Sequence, residues 1–348
     1  MKALTFQGPR ELAHESVNDP VLQDPTDVVV KVEWTAICGS DLHVWRGHES
    51  GLDAGTVMGH EFLGEVVEAG TGVQSFPVGT RVVSPFTTSC GNCFYCSQGL
   101  SCRCTQGQLF GWLEGGHGLH GAQAEYVRVP LADTTLIACP EGTSGEETLL
   151  CGDVLATGMF CADMGDVGPG KVVAVVGCGP VGLMAIVGAR ELGAERILAI
   201  DTVPERLALA ARFGADPLNA TDASPLEAIR QASEGRGADC VLEAVGSPQA
   251  TRAAVDLVRP GGTLAACGVH TESTFAFSPV EAYDKNLTYR AGRCPVRRYV
   301  ERTLEVVRSG RYDLSAIISH RLPLAEGPGA YGIFDAKREG CTKVLLQP

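Results

Sequence analysis

The stretch VVAVVGCGPVG constrains this chain more than any other, because a run of five apolar, mostly β-branched residues stops at three glycines spaced G-x-G-x-x-G: Gly177, Gly179 and Gly182. An unbroken apolar run of that kind reads as a strand buried on both faces. The first glycine permits a tight turn, the second lets the backbone approach a pyrophosphate, and the third allows close packing of helix on strand. Pro180 and Val181 then open the helix, whose free amides and dipole favour anions. The spacing therefore predicts a dinucleotide held at Gly177, Gly179, Pro180, Val181 and Gly182.

The surrounding text keeps the same alternation. RILAID, PERLALAARFGAD, DCVLEAV, PQATRAAVDLVRP and TLAACGV read strand, helix, strand, helix, strand, which predicts an α/β fold with a doubly wound parallel sheet over residues 155–292. Asp201 follows the second strand, nineteen residues past Gly182. A carboxylate there bonds the adenosine ribose hydroxyls and repels a 2′-phosphate, so NAD is expected rather than NADP. Arg206 is placed to stack on the adenine or to reach a phosphate.

Upstream the texture changes. DVVVKVEWTAIC, FLGEVVEAGTG and VGTRVVSP alternate apolar with polar residues between Gly- and Pro-rich turns, as an irregular β-rich domain does. Its loops carry CGSDLHVWRGHESGLDAGTVMGHE, a thiol, an imidazole, a hydroxyl and a carboxylate in one segment. Cys38 and His60 meet at one cation only if the chain between them loops out and returns, which Gly47, Gly51 and Gly55 permit. Zinc suits such donors, and a catalytic zinc takes three protein ligands with a fourth place open. A third ligand has to come from elsewhere.

A second cluster follows directly. Cys90, Cys93, Cys96 and Cys104 are spaced C-x2-C-x2-C-x7-C, a knuckle that folds four thiolates around one structural zinc with no open position. Cys102 is a spare thiol that competes with Cys104. Disulfides are disfavoured, because the fourteen cysteines are unevenly spread in a 348-residue chain whose N-terminus, MKALTFQGPRELAHE, lacks an export signal. A cytoplasmic protein with no membrane span is expected. A net charge of −13 excludes non-specific nucleic-acid binding, since a polyanion would be repelled.

In the order found here, a Cys/His metal segment, a four-cysteine lobe and a nucleotide fold resemble the zinc-containing medium-chain alcohol dehydrogenases. CGSDLH, GHEFLGEVVEAG, CGNCFYC, GAQAEYV, VVGCGPVGLMA and AIDTVPERL all look like that family's signatures, and they span essentially the whole chain. Its bacterial branch related to formaldehyde dehydrogenases looks closest. The resemblance implies a β-rich GroES-like catalytic domain from residues 1–154 and 293–348, with a zinc lobe at 89–105, and a Rossmann NAD-binding domain at 155–292. It implies a third catalytic-zinc ligand at Asp153, four residues before Thr157-Gly158, with Cys151 as the alternative. Glu61 is then the nearby carboxylate, Ser40 the hydroxyl on the substrate oxygen, and His43 the imidazole at the solvent end of a relay that runs through the nicotinamide ribose. Thr157 is expected against the nicotinamide, Phe86 in the pocket wall and Lys343 near the cofactor phosphates. Trp45, Phe110 and Trp112 are further candidates for an apolar pocket or for ordinary packing.

Two departures qualify the likeness. Gly39 stands where animal alcohol dehydrogenases place an arginine on the pyrophosphate, and the long insertion that buries cofactor in the dismutating formaldehyde enzymes is missing. Exchangeable NAD and two zinc ions per chain follow, with a small alcohol or aldehyde as substrate and a homodimer or homotetramer as the assembly. Polyol, threonine or formaldehyde dehydrogenases are the alternatives on the same scaffold. A non-catalytic NAD-binding zinc protein is the alternative outside enzymes.

Overall fold

The structure, a computed structural model, describes every residue except Ala223. Its packing divides the chain into two units, Met1–Asp153 with Pro295–Pro348, and Val154–Cys294.

The first unit is built on β-strands. β1 (Lys2–Gly8) and β2 (Glu11–Ser16) form an antiparallel hairpin. β3 (Val28–Ile37) pairs antiparallel with β4 (Glu61–Ala69), and β4 with β5 (Arg81–Ser84). The loop between β3 and β4 carries helix α1 (Asp41–Trp45), and Gly47, Gly51 and Gly55 all take positive φ there, so the excursion expected of this segment is made. After the short helix α2 (Phe94–Ser97) come the ribbon β6 (Trp112–Glu114) and β7 (His117–Leu119), then β8 (Tyr126–Val129), which adds to β3. Helix α3 (Ala132–Thr135), β9 (Ile137–Ala138) and helix α4 (Gly145–Leu149) complete the N-terminal part. Val28, Val30 and Val32 point one way from β3 and join Phe62, Val66, Val82, Phe110 and Val127 in the core, as period-2 alternation requires.

The second unit opens with α5 (Val154–Met164) and then alternates. β10 (Val172–Val176), α6 (Pro180–Glu191), β11 (Arg196–Asp201), α7 (Pro204–Arg212) and β12 (Asp216–Asn219) run outward to one edge. α8 (Pro225–Ala232), β13 (Ala238–Glu243), α9 (Pro248–Leu257), β14 (Val258–Ala266), α10 (Pro279–Lys285) and β15 (Thr288–Ala291) build the other half. The strands are parallel in the order β12-β11-β10-β13-β14-β15. The order reverses between β10 and β13, which opens a crevice at the strands' carboxyl ends. All five residues of β10 are buried, so the continuous apolar run is a central strand.

The chain then returns to the first unit. α11 (Val296–Ser309) leads to β16 (Ile318–Pro323), α12 (Gly327–Asp335) and β17 (Lys343–Gln347). β17 inserts between β16 and β3, so the last strand becomes an interior member of the first unit's sheet. Helix α12 was not expected. Its sequence, GPGAYGIFD, carries three glycines and a proline, and it is held by Tyr331 and Phe334 buried against Leu4, Trp45 and Leu346. Tertiary burial overrides poor propensity there.

Candidate active site

In the first unit, strand register explains why residues distant in sequence meet. Ala36 lies opposite Glu61 across the β3–β4 pair, so Cys38, just past the end of β3, faces His60, just before β4. Phe62 lies opposite Ser84, and the turn Leu150–Gly152 is pressed on that end of β5: a Cβ on Gly152 would come within 2.3 Å of the Ser84 carbonyl. Asp153 leaves that turn and points its carboxylate inward. Cys38 Sγ and His60 Nε2 each lie 3.4 Å from Asp153 Oδ2. Donor atoms of Cys38, His60, Glu61 and Asp153 all lie within 4.8 Å of one another, and all four residues are buried.

The electrostatics of this cluster ask for a cation. Burial raises the Cys38 thiol above its usual range, and the Asp153 and Glu61 carboxylates raise it further. Burial opposes charging of His60, yet Asp41, Asp153 and Cys38 together hold its imidazole well above its ordinary value. Glu61 is raised by burial, against the pull of the Lys343 ammonium. Glu61 Oε2 is a buried oxygen without a hydrogen-bond partner. Tetrahedral zinc with bonds of about 2.0–2.3 Å sets its ligand atoms about 3.3–3.8 Å apart, which the 3.4 Å separations match. The residues fit zinc.

Around the cluster, Ser40 Oγ lies 3.3 Å from His60 Nε2. The Phe86 ring meets the His60 ring edge-on at 6.3 Å, which puts this aromatic beside the cluster. His43 is half-buried on α1, with Nδ1 enclosed and unpartnered, and burial together with Arg46 and His48 lowers its basicity. Cys151 is fully buried and is not in the donor group. Lys343, expected near the cofactor phosphates, has Glu61 as its first partner, and both side chains are 0% exposed. β17 explains that placement: Val344 lies opposite Ile37, so the residue before it lies at the end of β3 beside the donors. Trp45 packs on Tyr331, Phe110 on Phe62, and Trp112 against Phe6, Val44 and Met58; each is core packing.

Asp41 is a residue the sequence reading passed over. Its carboxylate accepts the Cys38 amide at 2.9 Å and lies 3.2 Å from His60 Nδ1. It thus turns Nε2 toward the donors, as outer carboxylates do for metal-bound histidines. The available signal was an acid three residues past Cys38 on the same turn.

In the lobe, Cys90, Cys93, Cys96 and Cys104 form the second donor group. Cys93 Sγ lies 3.9 Å from Cys104 Sγ, close to the edge of about 3.8 Å that a zinc–thiolate tetrahedron sets. The amides of Cys90 and Gln106 donate to Cys104 Sγ. Amides of Cys96 and Thr105 pull the Cys93 thiol down to about 5, whereas burial pushes Cys96 up to about 12. Cys102 is not in the group.

In the second unit, Gly177 turns at φ +90° just past β10, and a Cβ on Gly182 would sit 1.8 Å from the Gly177 carbonyl. Only glycine fits that crossing of turn and helix. Gly179 caps α6, with Pro180 and Val181 in its first turn. Asp201, at the end of β11, accepts the amides of Cys178, Thr202 and Val203 at 2.7–3.0 Å, and Arg206 Nη1 lies 4.0 Å away. Arg206 Nε is buried without a partner. Thr157 is buried on α5, beside the point where Gly158 touches the backbone of Met184 on α6.

Residues 24–141 match the family model described as alcohol dehydrogenase GroES-like domain, and residues 180–307 the one described as zinc-binding dehydrogenase. The chain is 44% identical over 346 residues to zinc-type alcohol dehydrogenase B of Aspergillus flavus, covering 97% of this chain and 79% of that one. It is 32% identical over 380 aligned positions to the glutathione-independent formaldehyde dehydrogenase of Pseudomonas aeruginosa, covering 96% and 95%. Among solved structures it is similar to alcohol dehydrogenase TADH from Thermus sp. ATN1, with a TM-score of 0.93, 42% identity and coverage of 100% and 99%.

Proposed function

The chain belongs to the zinc-containing medium-chain alcohol dehydrogenases, and from that premise we propose that Cys38, His60 and Asp153 hold a catalytic zinc, that Cys90, Cys93, Cys96 and Cys104 hold a structural zinc, and that NAD is the coenzyme. It is an oxidoreductase that interconverts an alcohol and its carbonyl compound. The observation that supports the catalytic assignment is the buried four-donor cluster with 3.4 Å separations and an unpartnered Glu61 oxygen. Bound zinc supplies Lewis acidity that lowers the pKa of an alcohol hydroxyl, and NAD supplies the hydride acceptor.

The chain's own residues do the rest. Asp41 orients His60 and Phe86 bounds the cluster on one side. Ser40, beside His60, would accept the hydroxyl proton as it gives up its own, and His43 on α1 would take up the relayed proton and release it to solvent. Asp201, held by three amides, presents a negative charge that a 2′-phosphate would meet unfavourably. The four-thiol lobe suits a reducing, cytoplasmic compartment. Exposed Phe275, Val280 and Tyr283 on the second unit suit a homo-oligomer.

Two measurements on one preparation test the reading. Metal analysis is expected to find one zinc for each donor group, and reduction of NAD across primary alcohols, secondary alcohols, diols and hydrated formaldehyde to show turnover, with NADP poorer. One zinc per chain and NAD binding without turnover on any alcohol would instead mark a non-catalytic protein.

His43 gives a pH prediction. Its lowered basicity keeps the imidazole neutral, and able to accept a proton, down to a pH below its ordinary value. Under His43→Ala, turnover is expected to fall by about 10- to 100-fold at acid pH and to recover as pH rises and solvent takes the proton unaided. Zinc content should not change. A pH profile parallel to that of the wild type would remove His43 from the proton path.

A further inference from the structure

The crevice of the second unit has a clasp that neither the fingerprint nor the metal chemistry uses. Glu243 ends β13 with its side chain 0% exposed. Its Oε1 accepts the amides of Val245 and Gly246 at 2.7 and 2.8 Å. Its Oε2 meets His270 Nε2 at 3.1 Å, from the segment that follows β14. Its backbone carbonyl accepts the amides of Cys267 and Gly268. One residue therefore ties the carboxyl ends of β13 and β14 together, and the imidazole closes the tie.

The two tied segments are in contact. A Cβ on Gly246 would lie 2.2 Å from the Val269 carbonyl, and one on Gly268 would lie 2.2 Å from the Gly246 amide. Val245 in turn covers the first fingerprint glycine, its Cγ2 only 2.4 Å from where a Gly177 Cβ would be. Val245 and Val269 keep 46% and 39% of their surface exposed at this edge. In an open parallel sheet the adenosine half of a dinucleotide lies on the strands of the first half, here β10 and β11, and the other half lies on the far strands. The clasp thus fixes the apolar wall on the nicotinamide side of the pyrophosphate.

Resting on the NAD reading above, we infer that His270 is a positioning residue for the coenzyme, whose hydrogen bond to Glu243 sets the Val245 and Val269 segments against which the nicotinamide half packs. The bond is strongest when the imidazole is charged. Glu243, and more weakly Glu272, raise the basicity of His270 against the cost of its partial burial. Cys267 after β14 donates its thiol to the Glu243 backbone carbonyl; Cys161 on α5, raised chiefly by Cys267 and by burial, and Tyr289 on β15, raised chiefly by burial, both also feel the Glu243 charge. With a folded-state pKa raised, the charged clasp is present at low pH and weakens to a neutral hydrogen bond as pH rises through that value.

The test compares NADH and ADP-ribose, which lacks the nicotinamide, on wild type, His270→Gln and His270→Ala holoenzyme. Glutamine keeps a donor and removes the charge. His270→Gln is expected to raise the Kd for NADH about tenfold at about pH 6 and to converge on the wild type at about pH 9, whereas His270→Ala raises it at both. ADP-ribose should bind all three proteins within about twofold, because the adenosine half is untouched. Equal NADH affinities in the three proteins would overturn the inference, as would parallel losses for NADH and ADP-ribose, which mark a general loosening of the unit. A wild type that binds neither ligand would sink the NAD reading itself.

Discussion

Asp153→Ala is expected to release the zinc of the Cys38 site, to keep that of the lobe, and to lower kcat/KM by more than about a thousandfold. The carboxylate lies 3.4 Å from both the thiol and the imidazole, so its loss leaves a two-ligand site. Among the described residues Glu61 is the further acid of the donor group, and its Oε1 is engaged by Lys343. Asp153→Cys should recover much of the metal, because a thiolate there completes a donor set that zinc accepts. Metal analysis with steady-state kinetics reads both outcomes. An alanine variant that keeps both metals and full turnover would show that Asp153 is not a ligand.

In zinc-free protein Lys343→Met should destabilise the fold by about 3–5 kcal/mol, the usual result of removing one partner of a fully buried ion pair. Glu61 and Lys343 are both 0% exposed, so the methionine leaves a buried carboxylate without its cation. The sign of the pH dependence follows from Glu61. Its folded-state pKa is already raised by burial, and Lys343 is the largest influence that lowers it. Without the ammonium it rises further, so the deficit is largest above that value and shrinks as pH falls and the carboxyl takes up a proton. The double variant Lys343→Met with Glu61→Gln should recover most of the loss, since neither side then carries an unpaired charge. Denaturant unfolding of the three proteins at neutral and acid pH measures this. A single variant as stable as the wild type across that range would mean that the pair is not buried in solution.

Where the sequence reading succeeded, it dealt with local chemistry. Gly177, Gly179 and Gly182 follow an all-apolar run because a central parallel strand must end in a turn that admits a phosphate and a helix packed hard on the turn. The sulfurs of four cysteines within fifteen residues lie within 4.8 Å of one another, because so short a loop keeps them close. The GroES-like and nucleotide-binding fold, and the family, were legible for the same reason: the motifs that carry them are contiguous.

Where it fell short, the missing information lay between distant segments. Cys38, His60, Asp153 and Lys343 span nearly the whole chain; two strand registers, Ala36 opposite Glu61 and Val344 opposite Ile37, bring Cys38, His60 and Lys343 together, and the turn Leu150–Gly152 packed on β5 brings Asp153 to them. Asp153 was reached through a family likeness and not from its own spacing. Asp41 was passed over until its two oxygens were seen on the Cys38 amide and His60. Lys343 was expected near the cofactor phosphates, and its tie to Glu61 showed only once β17 was seen inside the sheet. Sequence alone determined which donors, glycines and strands this protein has, because those properties belong to single residues and their neighbours. The tertiary structure alone decided which donors share a volume and which charges lose their water, because register and burial are set by the whole fold.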